Sequence, residues 1–115
     1  HAFFRRQRQM CIRDSNGISF AIASDYNPGS CPTGNMNFIL SLACNKLKLT
    51  TQQAINAATI NGAYAMGVSD KTGSITEGKI ANLLITDKLD SIDDLPYYFG
   101  ENLIEKVLIK GEEFN

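Results

Sequence analysis

The residues with most to offer chemically lie in one stretch, Ser24-Asp25-Tyr26-Asn27-Pro28-Gly29-Ser30-Cys31-Pro32-Thr33-Gly34. Asp25 follows a short apolar run, Ile18-Ser19-Phe20-Ala21-Ile22-Ala23, whose partly β-branched composition predicts a buried strand. A carboxylate at the end of such a strand can bind a divalent cation through one oxygen and accept a proton from activated water through the other. The competing reading is an aspartate capping the turn after it, a common use of that residue and the better one on spacing alone. Asn27, Gly29 and Ser30 add an amide with both donor and acceptor, a backbone that a ligand can approach closely, and a hydroxyl. An ordinary Asn-Pro-Gly turn would contain the same residues, and spacing alone favours it.

Other reactive groups carry less. Cys31 sits in this loop, but the only histidine is His1, so the body of the chain has no imidazole to activate a thiol. Cys31 and Cys44 therefore read as small apolar groups. Asn35 reads as a helix N-cap, and Thr33 as a residue that shapes the loop. Tyr97, Tyr98 and Phe99 read as packing residues, and Lys79 as a solvated cation.

The elements that must position this loop are legible in outline. Dense Pro and Gly make 26–34 a loop. A helix is predicted from Met36 to about Cys44, with Met36, Ile39, Leu40 and Ala43 on one stripe. Thr50-Thr51-Gln52-Gln53 has the pattern of a capping box. The helix it opens should run to about Met66, with Ala54, Ile55, Ala58, Gly62, Ala65 and Met66 on its packing face and Gly67 at its C-terminal end. After Gly67 the texture changes. Gly73-Ser74-Ile75-Thr76-Glu77-Gly78-Lys79 is turn-rich, Ala81-Asn82-Leu83-Leu84-Ile85-Thr86-Asp87 predicts a strand, 90–95 a short helical turn, and 104–109 a last strand before Gly111.

Length and composition set bounds. A chain of 115 residues, 43% hydrophobic with a formal net charge of −1, suits one small globular domain and gives no sign of nucleic-acid or membrane partners. No apolar run reaches the roughly 18 residues of a membrane span. Three scattered cysteines, Cys11, Cys31 and Cys44, do not make a disulfide framework, so a reducing, cytoplasmic setting is the default.

The head differs from the body. All four arginines (Arg5, Arg6, Arg8, Arg13) fall in the first thirteen residues, whereas from Asn16 onward seven lysines face eleven acids. Met10-Cys11-Ile12-Arg13-Asp14-Ser15 is what the transposon end sequence of shotgun libraries would encode. Residues 1–15 are therefore expected to be foreign sequence on a truncated gene, to be set aside in reading the fold; a basic nucleic-acid arm is the alternative.

A strand ending in Ser24-Asp25, a loop, two helices and then Gly73-Ser74-Ile75-x-x-Gly78-Lys79-x-Ala81-Asn82-Leu83 is similar to the tail of the amidohydrolase superfamily. Within it, Asp25-Tyr26-Asn27-Pro28-Gly29-Ser30-Cys31-Pro32-Thr33 with Asn35-Met36, and Pro96-Tyr97-Tyr98-Phe99-Gly100-Glu101-Asn102, resemble the imidazolonepropionase family. The resemblance implies an α/β fold: residues 16–66 as the C-terminal end of a (β/α)8 TIM-like barrel, comprising its last strand and following helices, and residues 67–115 as part of a small β-rich composite domain. It implies one divalent metal, zinc or iron, with Asp25 as both metal ligand and catalytic base. Asn27, Gly29 and Ser30 would bind the substrate, imidazolone propionate, whose cyclic amide is hydrolysed to N-formimidoyl-L-glutamate. A homodimer of the full-length enzyme is compatible with it. The family's histidine ligands, including a His-x-His pair, and an arginine for the propionate carboxylate have no counterpart in 16–115. The chain is thus expected to be a fragment, inactive alone.

Two alternatives compete. Another amidohydrolase acting on a different ring, a cyclic-amide hydrolase or aminohydrolase, shares the second motif but not the loop. A complete, non-enzymatic α+β interaction domain would leave the apolar first strand without a partner strand nearby in sequence.

Overall fold

The computed structural model describes residues 19–114. Residues 1–15, read as foreign, lie outside that range, as does Ile18, the first residue of the predicted strand.

The helices have well-specified ends. Helix α1 spans Met36–Lys46, and Asn35 caps it, its Oδ1 accepting from the Asn37 N–H at 3.0 Å. Ile39, Leu40 and Ala43 of the predicted stripe are buried, with Ser41 beside them. Helix α2, Thr51–Ala58, opens on the full capping box: Thr50 Oγ1 accepts from Gln53 N–H and Gln53 Oε1 accepts from Thr50 N–H.

The helix expected to run on to Met66 is broken instead. Thr59 leaves helical geometry at φ −113°, ψ −88°, while its hydroxyl donates back to the Ile55 carbonyl at 2.7 Å. Such a back-bond competes with the helical ladder. Helix α3, Ile60–Ala65, restarts out of phase. Ala54 and Ala57 are fully buried before the break and Ala63 is buried after it, whereas Ala65 and Met66, assigned to the packing face by a continuous period, are exposed. Gly67, at φ +74°, ends the helix as expected: its N–H donates to the Tyr64 carbonyl and that of Val68 to the Ala63 carbonyl, the two bonds of a Schellman motif.

The second half is a three-stranded antiparallel sheet in the order β1 (Leu83–Thr86), β2 (Ile104–Ile109), β3 (Glu112–Phe114). β1 and β2 fall where the sequence placed them. β3 is an addition to the expected elements; Lys110 and Gly111 both take positive φ, 54° and 81°, which closes a two-residue hairpin and turns the chain back onto β2. The short helical turn expected at 90–95 is displaced to α4, Asp94–Tyr97. The turn-rich connection is anchored at Gly73, φ +97°, where a side chain would meet the Cβ of Ala63 at 2.7 Å.

Residues 19–24 are extended and alternate between exposed and half-buried, but they pair with no strand among the described residues. The segment lies on the helices instead. Ile22 N–H donates to the Ala57 carbonyl at 3.1 Å, and Asn61 Nδ2 donates to the Phe20 carbonyl at 2.9 Å. Phe20 and Ile22 pack on the core formed by Leu40, Ala43, Leu49 and Ala54. No large side chain among the described residues is fully buried, which is the expected state of helices and strands that cover only one another's edges.

Candidate functional site

The apolar segment ends at Asp25, and Asp25 turns the chain. Its φ of +49° is left-handed, a conformation that Asp tolerates better than most residues. The following turn is closed by Asn27. Asn27 Oδ1 accepts from the Gly29 N–H at 3.0 Å and the Ser30 N–H at 2.8 Å, and Asn27 Nδ2 donates to the Asp25 carbonyl and to Ser30 Oγ. A backbone bridge between Asn27 and Cys31, with Asn27 N–H donating to the Cys31 carbonyl at 2.9 Å, shuts the loop at its base.

The four residues singled out by sequence, Asp25, Asn27, Gly29 and Ser30, thus belong to one small turn. Their roles in it differ. Asn27 spends both ends of its amide on the loop itself, which is the Asn-Pro-Gly turn that spacing alone favoured. At Gly29 a Cβ would come within 3.3 Å of Asn27 Oδ1, a tight contact that the side chain of Asn27 would have to relieve. Asp25 contributes its carbonyl to the turn, so the bond that caps it is not made by the carboxylate. Asp25, Gly29 and Ser30 are exposed and Asn27 is half-buried.

The limb leaving the turn is bonded step by step. Cys31 Sγ donates to the Thr33 carbonyl at 3.4 Å, and Asn35 N–H donates to Thr33 Oγ1 at 3.1 Å. Cys31 and Cys44 are both half-buried free thiols, in keeping with their reading as small packing groups. Asn35, Phe38 and Phe99 meet at the start of α1, a contact that sequence reasoning missed because Phe99 is 64 residues from Asn35.

The fit to a metal is partial. Asp25 supplies one accessible oxygen donor of the type that zinc or iron accepts, but no group of three His, Cys, Asp or Glu side chains that could hold a metal occurs among the described residues. An open cleft of about 610 Å³ lies elsewhere, lined by Ser19, Phe20, Ala21, Asn61 and Tyr64 among others. It flanks the extended segment and does not include Asp25. No helix among the described residues is long and apolar enough to cross a membrane.

The chain is similar to the imidazolonepropionases of Flavobacterium johnsoniae (60% identical over 96 residues), Flavobacterium psychrophilum (56% over 96 residues) and Streptococcus pyogenes (45% over 96 residues). In each case the match takes in 84% of this chain and 23% of the relative, so the chain spans about a quarter of the length of these proteins. The model of the amidohydrolase family matches residues 5–114, beginning inside the head and extending through the turn, the helices and the sheet. With nearly its whole length matched, the chain belongs to the amidohydrolase family.

Proposed function

We propose that this chain is the C-terminal quarter of an imidazolonepropionase, which hydrolyses the cyclic amide of 4-imidazolone-5-propanoate to N-formimidoyl-L-glutamate in histidine degradation. The observation that carries the reading is the division of labour in the turn: Asn27 closes it and leaves the Asp25 carboxylate exposed at the end of the extended segment. The relatives named imidazolonepropionase support it.

In this reading residues 19–24 are the last strand of a TIM-like barrel, whose neighbouring strands lie in the part of the protein that the chain does not span. That accounts for an extended, half-buried segment with no strand partner. Residues 67–115 contribute to a small β-rich domain beside the barrel. The enzyme acts in the cytoplasm on a small-molecule substrate, without nucleic acid or membrane, and its full-length form is compatible with a homodimer.

Asp25 would be one ligand of a single divalent metal, zinc or iron, with the other ligands supplied from outside this chain. Such a metal contributes Lewis acidity, making water a nucleophile at neutral pH. The Asp25 carboxylate takes up the proton released as water adds to the ring carbonyl, and returns it to the departing ring nitrogen as the C–N bond opens. The turn around Asn27, Gly29 and Ser30 presents its hydroxyl and backbone to the substrate or product, with Asn27 acting chiefly by holding the turn in shape.

The test is direct. A full-length protein containing this segment, loaded with zinc or iron, should consume imidazolone propionate with loss of the imidazolone absorbance and appearance of N-formimidoyl-L-glutamate. A metal-loaded, folded protein that leaves the substrate intact while hydrolysing another cyclic amide or deaminating a ring would transfer the assignment to a different amidohydrolase.

A further inference from the structure

We infer that residues 93–99 form a strap that fixes the substrate loop from behind, with Asn35 and Phe99 as positioning residues; this rests on the function proposed above. The strap is held at both ends. At one, Thr51 Oγ1, in the first turn of α2, donates to the Asp93 carboxylate across 42 residues of sequence. At the other, Asn35 Nδ2 donates to the Phe99 carbonyl at 3.3 Å, and the Phe99 ring packs on Phe38 with centroids 5.3 Å apart at a 56° tilt. Between these anchors Pro96 is buried.

Asn35 is where the strap meets the loop. Its Oδ1 caps α1, its N–H is held by Thr33 Oγ1, and its Nδ2 reaches the strap. From Thr33 the bonded limb runs back through Cys31 to the Asn27 turn. A displacement of residue 99 is therefore passed along a continuous series of hydrogen bonds to Gly29 and Ser30. Asp25 meets the same Asn27 only through its main-chain carbonyl, and the segment before it is joined to the helices through Phe20 and Ile22. The strap thus governs the substrate-contacting limb more than the carboxylate. Small shifts of such groups matter, because misplacement by about 1 Å can cost on the order of a hundredfold.

Asn35→Asp separates this role from helix capping. Aspartate caps a helix as well as asparagine does, but it offers the Phe99 carbonyl an acceptor in place of a donor. In the full-length metal-loaded enzyme, KM for imidazolone propionate should rise about five- to tenfold, the scale of one lost hydrogen bond, with metal content unchanged and kcat altered less than about twofold. A structural role alone would reduce the active fraction and hence kcat, leaving KM where it was. An Asn35→Asp enzyme with wild-type KM overturns the inference, whatever its kcat. Should that variant fail to fold, Phe99→Leu, which keeps the carbonyl and the cap but removes the ring on Phe38, must raise KM in the same selective way, and a wild-type KM there overturns it equally. Absence of turnover in the wild-type enzyme removes the functional reading and the inference together; wild-type turnover with unchanged KM in the variants removes the inference alone.

Discussion

The side chain of Asn27, not that of Asp25, closes the turn after the apolar segment: Asn27 Nδ2 donates to the Asp25 carbonyl while its Oδ1 gathers the N–H groups of Gly29 and Ser30. A residue whose carboxylate is not needed to fold its own loop is available for chemistry. A residue whose amide is bonded at both ends within the loop is a scaffold first.

That distinction predicts different phenotypes for neighbours. In the full-length enzyme, Asn27→Ala removes the side-chain bonds that close the turn and should raise KM by about ten- to a hundredfold, the scale of one to two lost hydrogen bonds to a positioned loop. Ser30→Ala keeps the Asn27 bonds to backbone and should cost about tenfold or less. Both should retain metal. Metal analysis beside steady-state kinetics checks this, and loss of metal in Ser30→Ala would contradict it.

Gly73 offers a test of the fold away from the site. Its φ is +97°, and a Cβ at this position would stand 2.7 Å from that of Ala63, which leaves no room for a side chain. Gly73→Ala should destabilise the protein by about 2–4 kcal/mol, combining left-handed strain with overpacking against α3. Chemical denaturation measures it, and a change under about 0.5 kcal/mol, the usual range of an indifferent surface substitution, would show that the connection is not seated on Ala63.

How much of this is legible in the sequence depends on the range of the interaction. The Asn35 cap, the Thr50–Gln53 box, the Gly67 stop and the β2 span are readable because each is set by residues within a few positions. The break at Thr59 is not, since Thr is tolerated in helices and only its back-bond to Ile55 and the packing of Ala63 move the phase. The hairpin to β3 is hidden because Lys110 is an unusual residue for positive φ, with only Gly111 as a turn signal. The 93–99 strap is hidden because its contacts join residues 42 and 64 apart. In the candidate site the residues are identified from one resemblance, but which of them are scaffold and which free depends on side-chain geometry.

The isolated chain should neither turn over imidazolone propionate nor bind zinc tightly. A catalytic zinc takes about three protein ligands, and no such group occurs among the described residues. Competition against a chromophoric chelator checks this, with submicromolar affinity as the contrary result. Its circular dichroism should also lack a sharp cooperative melt, which a complete small domain would show.

The head makes a separate prediction at the level of DNA. Resequencing the source locus without transposon-made libraries should give different codons upstream of Asn16, because arginine is confined to the first thirteen residues and Met10–Ser15 has the adapter pattern. The family match beginning at residue 5 makes the experiment decisive. Recovery of the same Met-Cys-Ile-Arg-Asp-Ser codons in genomic DNA would establish the head as native.

The last prediction concerns Asp25 in the full-length enzyme. Asp25→Asn is nearly isosteric, and the carbonyl that Asn27 Nδ2 uses is main chain, so the turn should survive the change. What disappears is the negative charge toward a metal and the basic oxygen that would take up a proton, because an amide is not a useful base. Loss of general-base function alone costs about a hundred- to ten-thousandfold in rate, and weaker metal binding adds to it. The variant should therefore fold, with an unchanged circular dichroism spectrum, and lose turnover beyond about a hundredfold, a deficit that added metal does not restore. Retention of more than about a tenth of wild-type activity, well outside the general-base range, would return Asp25 to the rank of a turn residue, and the catalytic carboxylate would have to be sought outside this chain.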